Sequence, residues 1–158
     1  MLDVAWCRGV DHRASDWPWS DVWSGEWLPY DPWMICYVTL GTNDYQRAQD
    51  FYEEVMNTLG ARRLFSTERM THWGTGGVGS LAVVKPYDEQ PASSGNGTMV
   101  ALNADSRERV NKVYDKALAL GATCEGEPGV RQGIWAAYFR DLDGNKICVI
   151  CLRPAQES

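Results

Sequence analysis

The sequence predicts one α+β domain over residues 34–154, made of two βαβββ modules at about 34–86 and 97–154. A strand-like segment followed by an amphipathic helix and further short strands occurs twice along the chain. Each helix has a capping candidate and a glycine stop sixteen positions apart, Asp44 with Gly60 and Asp105 with Gly121. The 158 residues suffice for one ordinary domain. We therefore expect two copies of one unit forming a curved mixed sheet around a cleft.

The first module begins with a strand and a capped helix. Ile35 to Leu40 is rich in β-branched and aromatic residues, which favours a strand. Asn43 and Asp44 offer an N-cap, and Gly60 supplies the helix stop. Three short strands should follow, near 62–66, 70–73 and 80–85. The helix is predicted because apolar residues recur at helical spacing: Ala48, Phe51, Tyr52, Val55, Met56 and Leu59.

The second module repeats this order. Thr98 to Asn103 is the predicted strand, and Asp105-Ser106 caps a helix that Gly121 stops. Its apolar face consists of Val110, Val113, Tyr114, Ala117 and Leu120. Strands are expected near 123–125, 134–140 and 146–152. Residues 85–97 are rich in proline, serine and glycine, which indicates a loop between the modules. The loop does not separate two domains, because neither half buries enough surface to fold alone.

Residues 1–33 fall outside both copies. They hold six of the eight tryptophans, with six acidic and two basic residues. Two explanations stay open. The segment is an extension that docks on the domain or on a partner subunit, or Met34 is the natural start of the protein. Residues 155–158 form a short tail.

Composition restricts the function classes. No apolar run approaches a membrane span. The net charge of −6 argues against a nucleic-acid partner. Residue 1 onward does not resemble a secretory signal, so we expect a cytoplasmic protein with reduced thiols. Cys148 and Cys151 match CxxC, but residues i and i+3 of a strand point to opposite faces, so they should share neither a metal nor a disulfide.

Several segments resemble the vicinal-oxygen-chelate superfamily, which includes glyoxalase I, bleomycin- and fosfomycin-resistance proteins and extradiol dioxygenases. The first is Tyr37 to Asp44, continued by Ala48, Phe51-Tyr52 and Leu59-Gly60. Lys85 to Thr98 and Ala136 to Lys146 are similar to its small single-domain glyoxalase-like branch. The most specific piece is Asp141-Leu-Asp-Gly-Asn145, where Leu142 replaces the family's usual proline. The resemblance implies the glyoxalase/bleomycin-resistance fold and a homodimer.

The resemblance also implies a divalent-metal site, with ligands on the first strand of each module and on the last strand. Those positions carry Tyr37, Met99 and Cys148. None is a ligand that a hard metal prefers, and residues 34–154 contain only one histidine, His72. We therefore expect no metal and no cofactor. A soft site for copper(I) or mercury is the alternative, although such residues more often line a cleft with apolar surface.

The candidate ligand-binding cleft comprises Tyr37, Met99, Cys148, Trp73, Trp135, Tyr138 and Arg131. The aromatic members would form a wall for a flat or apolar ligand, or else serve as ordinary core and surface residues. Strand alternation places Trp135 and Ala137 on one face, with Ala136 and Tyr138 on the other.

Two residues are candidate catalytic groups. His72 is a possible general base, since its ordinary pKa lies near neutrality. Cys148 is a possible nucleophile if a cation activates it. Lys146 lies two residues before Cys148 on the same face, and Arg131 would serve if its loop folds in.

The resulting prediction is a metal-free protein that binds a small organic molecule between the modules, with no nucleic-acid or membrane partner. The alternative is a metal-dependent lyase, isomerase or dioxygenase of the same superfamily, with ligands from His72, Glu68 or the partner chain. A third hypothesis is an assembly module in which residues 1–33 wrap a partner.

Overall fold

The computed structural model describes residues 35–76 and 79–152. Its first module consists of β1 (Tyr37–Gly41), α1 (Tyr45–Leu59), β2 (Arg62–Ser66), β3 (Met70–Gly74) and β4 (Ser80–Val84). The strands form one sheet in the order β1-β4-β3-β2. Strand β1 runs parallel to β4, and the other pairs are antiparallel. Every element predicted for this module is present.

The second module has the same plan. It consists of β5 (Val100–Asn103), α2 (Arg107–Ala119), β6 (Thr123–Arg131), β7 (Ile134–Arg140) and β8 (Lys146–Cys151). Its sheet has the order β5-β8-β7-β6, with β5 parallel to β8. The α+β class and the two βαβββ modules are confirmed. The predicted segments 1–33 and 155–158 lie outside the described residues.

Both helices begin and end where the sequence places their caps. The Asp44 carboxylate accepts a hydrogen bond from the backbone N–H of Arg47, and the Ser106 hydroxyl accepts one from that of Arg109. Each bond satisfies a backbone donor that has no partner inside the helix. Gly60 and Gly121 have φ values of 91° and 98°, a left-handed conformation that glycine adopts without the steric cost of a Cβ.

The two helices lie between the two sheets. Phe51 of α1 packs edge-on against Phe139 of β7, with ring centroids 6.5 Å apart. Lys116 of α2 lies 3.2 Å from the carboxylate of Glu54 on α1. One hydrophobic core therefore serves both modules. Its buried members come from both helices and from the helix-covered sides of the two sheets, and include Leu40, Phe51, Tyr52, Val55, Trp73, Leu81, Val83, Val110, Val113, Ala137, Phe139, Ile147 and Val149.

The turn between β7 and β8 fastens the second module to the first. The Asp141 carboxylate accepts hydrogen bonds from the backbone N–H groups of Asp143 and Asn145, which hold the turn closed. Gly144 has a φ of 85°, so the glycine occupies the left-handed position of the turn.

The same turn reaches across to the end of β1. The Asp143 carboxylate accepts hydrogen bonds from the Thr42 hydroxyl at 2.7 Å and from the Asn43 backbone N–H at 2.9 Å. The Asn145 amide donates to the Gly41 carbonyl at 3.1 Å. The most specific piece of the predicted family pattern, the turn at 141–145, thus holds the two modules together, and we call it the latch turn. Within the described residues, no helix is both long and apolar enough to cross a membrane.

Candidate functional site

Each sheet has one face covered by its helix and one face without a helix. On the first sheet, pairing register places Thr39, Ala82, His72 and Phe65 in one row across the helix-free face. Tyr37 pairs with Ser80 and lies on the same face. His72 and Ala82 are fully buried there, whereas Tyr37 is 47 % exposed.

His72 sits among aromatic rings. It stacks on Phe65 with ring centroids 4.4 Å apart and meets the edge of Tyr37 at 5.3 Å. Its Nδ1 lies 3.1 Å from the Ser80 hydroxyl oxygen. Burial lowers the pKa of His72 from 6.5 to about 4, because desolvation disfavours the imidazolium. His72 is therefore neutral at physiological pH, and its role as a general base stays a prediction.

On the second sheet, the row across the helix-free face runs through Ala101, Cys148, Tyr138 and Gly126. Cys148 is 1 % exposed. Burial raises the pKa of its thiol, while a hydrogen bond with the Tyr138 side chain and the charge of Lys146 act in the opposite direction without reversing the shift. Cys148 is therefore a thiol and not a thiolate at neutral pH, which disfavours its use as a nucleophile.

A charged group lies on the same face, and we call Glu125, Arg140 and Lys146 the Glu125 cluster. The Glu125 carboxylate is 2.6 Å from Arg140 Nε and 3.0 Å from Lys146 Nζ. These two hydrogen-bonded cations lower the pKa of Glu125. Lys146 Nζ also lies 5.7 Å from the centre of the Tyr138 ring. Lys146 thus links the cluster to Cys148 through Tyr138.

Trp73 and Trp135 require a correction, because neither faces the helix-free side. Trp73 is fully buried under α1, and its indole N–H donates to Glu53 at 2.8 Å. The indole N–H of Trp135 donates to Asn111 of α2 at 3.0 Å. The alternation of side chains along β3 and β7 turns both rings toward the helices. The sequence predicted which residues of a strand share a face, but not which of the two faces the helix covers.

The other predicted residues are dispersed. Met99 precedes β5, is 45 % exposed and adjoins the start of β8, since Val100 pairs with Ile147. Arg131 ends β6, where its guanidinium donates to the carbonyls of Val130 and Glu127. Glu68 is exposed in the turn between β2 and β3. Arg131 therefore makes these hydrogen bonds within its own strand, whereas the row through Cys148 crosses β6 at Gly126.

The sequence-based search missed Glu125, Arg140, Phe65 and Ser80. Each lies on a helix-free face beside a residue that was predicted, but the neighbours belong to different strands. Pairing register brings them together, and register is not visible along a single strand. The one signal for the Glu125 cluster was the alternation of side chains along β8, which places Lys146 on the same face as Cys148.

In the part of the chain that the structure describes, no three histidine, cysteine, aspartate or glutamate side chains converge as metal ligands. Tyr37 lies on the first sheet, Cys148 lies on the second, and Met99 directly precedes β5 of the second. Because the helices separate the sheets, the two helix-free faces point away from each other. One copy of the chain therefore does not bring these three positions together.

Both the sequence and the fold of the chain resemble those of known proteins. A family model described as the Glyoxalase/Bleomycin resistance protein/Dioxygenase superfamily matches residues 35–149. The chain belongs to this superfamily.

Solved structures of the superfamily share this fold. A glyoxalase/bleomycin resistance protein from Albidiferax ferrireducens is 32 % identical, with a TM-score of 0.73 over 77 % of this chain and 100 % of that one. A lactoylglutathione lyase from Agrobacterium tumefaciens is 20 % identical, with a TM-score of 0.57 over 78 % of this chain and 96 % of that one.

A fosfomycin resistance protein from Mesorhizobium loti is 18 % identical, with a TM-score of 0.57 over 78 % of this chain and 95 % of that one. At such identities the last two share the fold with this superfamily member, and fold does not assign an activity. Among curated proteins, no match to the chain is found.

Proposed function

We propose that this superfamily member binds a small organic ligand without a metal, in a cleft that two copies of the chain form together. The helix-free face of the first sheet of one copy would meet that of the second sheet of the other copy. The observation that carries this proposal is the position of the helices between the sheets. It leaves each copy with two half-sites that face apart.

The edges of the sheets support association of this kind. Within residues 35–76 and 79–152, β1 pairs only with β4 and β5 pairs only with β8, so each has an outer edge without a neighbouring strand. Large apolar side chains lie exposed at or beside these edges: Ile35 is 56 % exposed, Tyr37 47 % and Met99 45 %. Pairing of β1 with β5 of a second copy would cover them and join the two half-sites.

The residues at the half-sites suit binding of an organic molecule. Tyr37, Phe65 and Met99 offer apolar and aromatic surface. His72 and Cys148 are buried on the same faces and add no charge to them. None of the three positions that the superfamily resemblance assigns to metal ligands carries an imidazole or a carboxylate. A phenol, a thioether and a protonated thiol are poor ligands for zinc, iron or manganese.

The experiment combines oligomeric state with binding of a neutral fluorescent probe, phenylnaphthylamine. The full chain is expected to sediment as a dimer and to bind the probe. Met99→Glu places a charge at the edge of β5 and is expected to give a monomer that no longer binds it. Val130→Glu is the matched control. Val130 is 59 % exposed on β6, which lies at the opposite side of its sheet from β5 and belongs to a different sheet from β1. A wild-type protein that sediments as a monomer and still binds the probe would overturn the shared cleft.

Metal content distinguishes the second candidate, a metal-dependent lyase, isomerase or dioxygenase. Elemental analysis of protein purified without chelators is expected to show less than stoichiometric metal. One equivalent of zinc, nickel, iron or manganese per chain would favour the enzyme instead. Loss of that metal in His72→Asn or Glu68→Gln would then identify a ligand.

A further inference from the structure

The Glu125 cluster has an excess of positive charge on the face that the proposed function assigns to the ligand. Two cations, Arg140 and Lys146, share one carboxylate. The side chains of Arg140, Lys146 and Glu125 are 35 %, 32 % and 27 % exposed, so all three remain accessible. The three side chains of the cluster together carry a net charge of +1.

The cluster is held in place by its own contacts. Glu125 uses one carboxylate oxygen for Arg140 and the other for Lys146. Arg140 also donates from Nη1 to the Gly144 carbonyl at 2.8 Å, which fixes the guanidinium at the latch turn. Preorganised donors lose less conformational entropy when a ligand binds.

Both cations keep donors that these contacts do not use. An ammonium has three N–H donors and a guanidinium has five. Glu125 accepts one from Lys146, and Glu125 and Gly144 accept one each from Arg140. The remaining donors provide charge-assisted hydrogen bonds of the kind that hold carboxylates and phosphates.

Apolar surface adjoins this charge. Lys146 Nζ lies 5.7 Å from the centre of the Tyr138 ring, and Tyr138 pairs across the sheet with Cys148. Ala136, the next residue of β7 on this face, is also buried. The face thus places the flat Tyr138 ring beside the two cations.

We infer that the Glu125 cluster is an anion subsite, which binds an oxyanion group of the ligand while the apolar body of the ligand covers Tyr138. The inference rests on the proposed function and narrows the ligand class to amphipathic organic anions. Lys146 contributes the hydrogen bond and the charge that favour the anion, and Glu125 positions the Lys146 ammonium.

The test uses two probes of similar shape with the full chain. Anilinonaphthalene sulfonate carries an anion, and phenylnaphthylamine is its neutral counterpart. Wild-type protein is expected to bind the sulfonate more tightly and to lose that preference as salt is raised. Lys146→Met keeps the aliphatic stem and is expected to weaken sulfonate binding about tenfold, the loss of one charge-assisted hydrogen bond, with phenylnaphthylamine affinity within about twofold of wild type.

Two further variants complete the test. Lys146→Arg keeps the charge and is expected to retain most of the preference for the sulfonate. Lys112→Met removes an exposed lysine of α2 and is expected to change neither affinity. Circular dichroism melting of each variant confirms that binding is compared between folded proteins.

The outcomes separate the two proposals. If Lys146→Met lowers both affinities equally, or neither, the anion subsite is wrong while the ligand cleft stands. If wild-type protein binds neither probe, the proposed function fails and the anion subsite fails with it. Selective loss of the sulfonate in Lys146→Met alone supports both.

Discussion

The Tyr52 hydroxyl of α1 donates a 2.7 Å hydrogen bond to Oδ2 of Asp141 at the end of β7. Both side chains are buried, and they lie 89 residues apart in the chain. Burial and the Asp141 charge hold the pKa of Tyr52 well above its usual value, so the phenol stays protonated and keeps donating. This bond joins the helix of one module to the latch turn of the other.

Tyr52→Phe is expected to lower the free energy of unfolding by about 1–3 kcal/mol, because a buried carboxylate loses a donor that water does not replace. Urea unfolding followed by circular dichroism measures the change. Tyr87→Phe is the control, since Tyr87 is 72 % exposed, and it should stay within about 0.5 kcal/mol of wild type. Equal stability of Tyr52→Phe and wild type would contradict a stabilising role for the bond.

Asp143→Ala is expected to loosen the start of α1. The variant removes the acceptor for the Thr42 hydroxyl and the Asn43 backbone N–H. Hydrogen exchange should quicken at Asn43 and at the first turn of α1, with little change in the β2–β3 hairpin. A uniform increase across the first module would instead indicate global destabilisation. Asp88→Ala, at an exposed loop position, provides the control.

Stability is expected to fall as the pH drops from about 6.5 to about 4. Folded protein keeps His72 neutral down to a pKa of about 4, whereas the unfolded chain protonates it near 6.5. The unfolded state therefore binds more protons within that window, which favours unfolding by at most about 3 kcal/mol. Carboxylates titrate in the same range, so the informative quantity is the difference between wild type and His72→Asn.

That difference should shrink as the pH falls from 7 toward 4, because the variant has no imidazole to protonate. Chemical unfolding at four or five pH values is sufficient. Wild-type and variant curves that run parallel across the window would mean that His72 titrates alike in both states, contrary to its burial.

Cys148 is expected to resist alkylation in the folded protein. Burial raises the pKa of its thiol, and a reagent must reach a side chain that is 1 % exposed. Iodoacetamide at neutral pH should modify the exposed Cys36 and Cys124 first, and Cys148 only after denaturant is added. Peptide mass spectrometry identifies the order. Rapid modification of Cys148 in native protein would restore it as a candidate nucleophile.

Local sequence signals predicted the elements well where chemistry marks their ends. Asp44 and Ser106 cap helices, and Gly60 and Gly121 follow them with left-handed backbone. Strand β6 was underestimated, since it reaches Arg131 and not Glu125. Gly126 and Gly129 lie at its register shifts. Glycine has a low strand propensity, so the sequence of this segment does not indicate a strand.

The candidate site was less predictable for a different reason. Alternation correctly separated Trp135 from Tyr138, but it does not state which side the helix covers. That depends on the packing of α2, which brings Asn111 to the Trp135 indole. Glu125 and Lys146 meet only because β6, β7 and β8 lie side by side. Such neighbours follow from topology and register, which sequence alone leaves open.

The core shared by the two modules has a consequence for how such a protein arose. A chain of half this length would expose the apolar face of its single helix, and an identical chain would be the natural partner to bury it. Fusing two such chains end to end replaces concentration-dependent assembly by an intramolecular one. A fusion of that kind would place its join in the loop at 85–97, between a half that carries His72 and a half that carries Cys148 and Lys146.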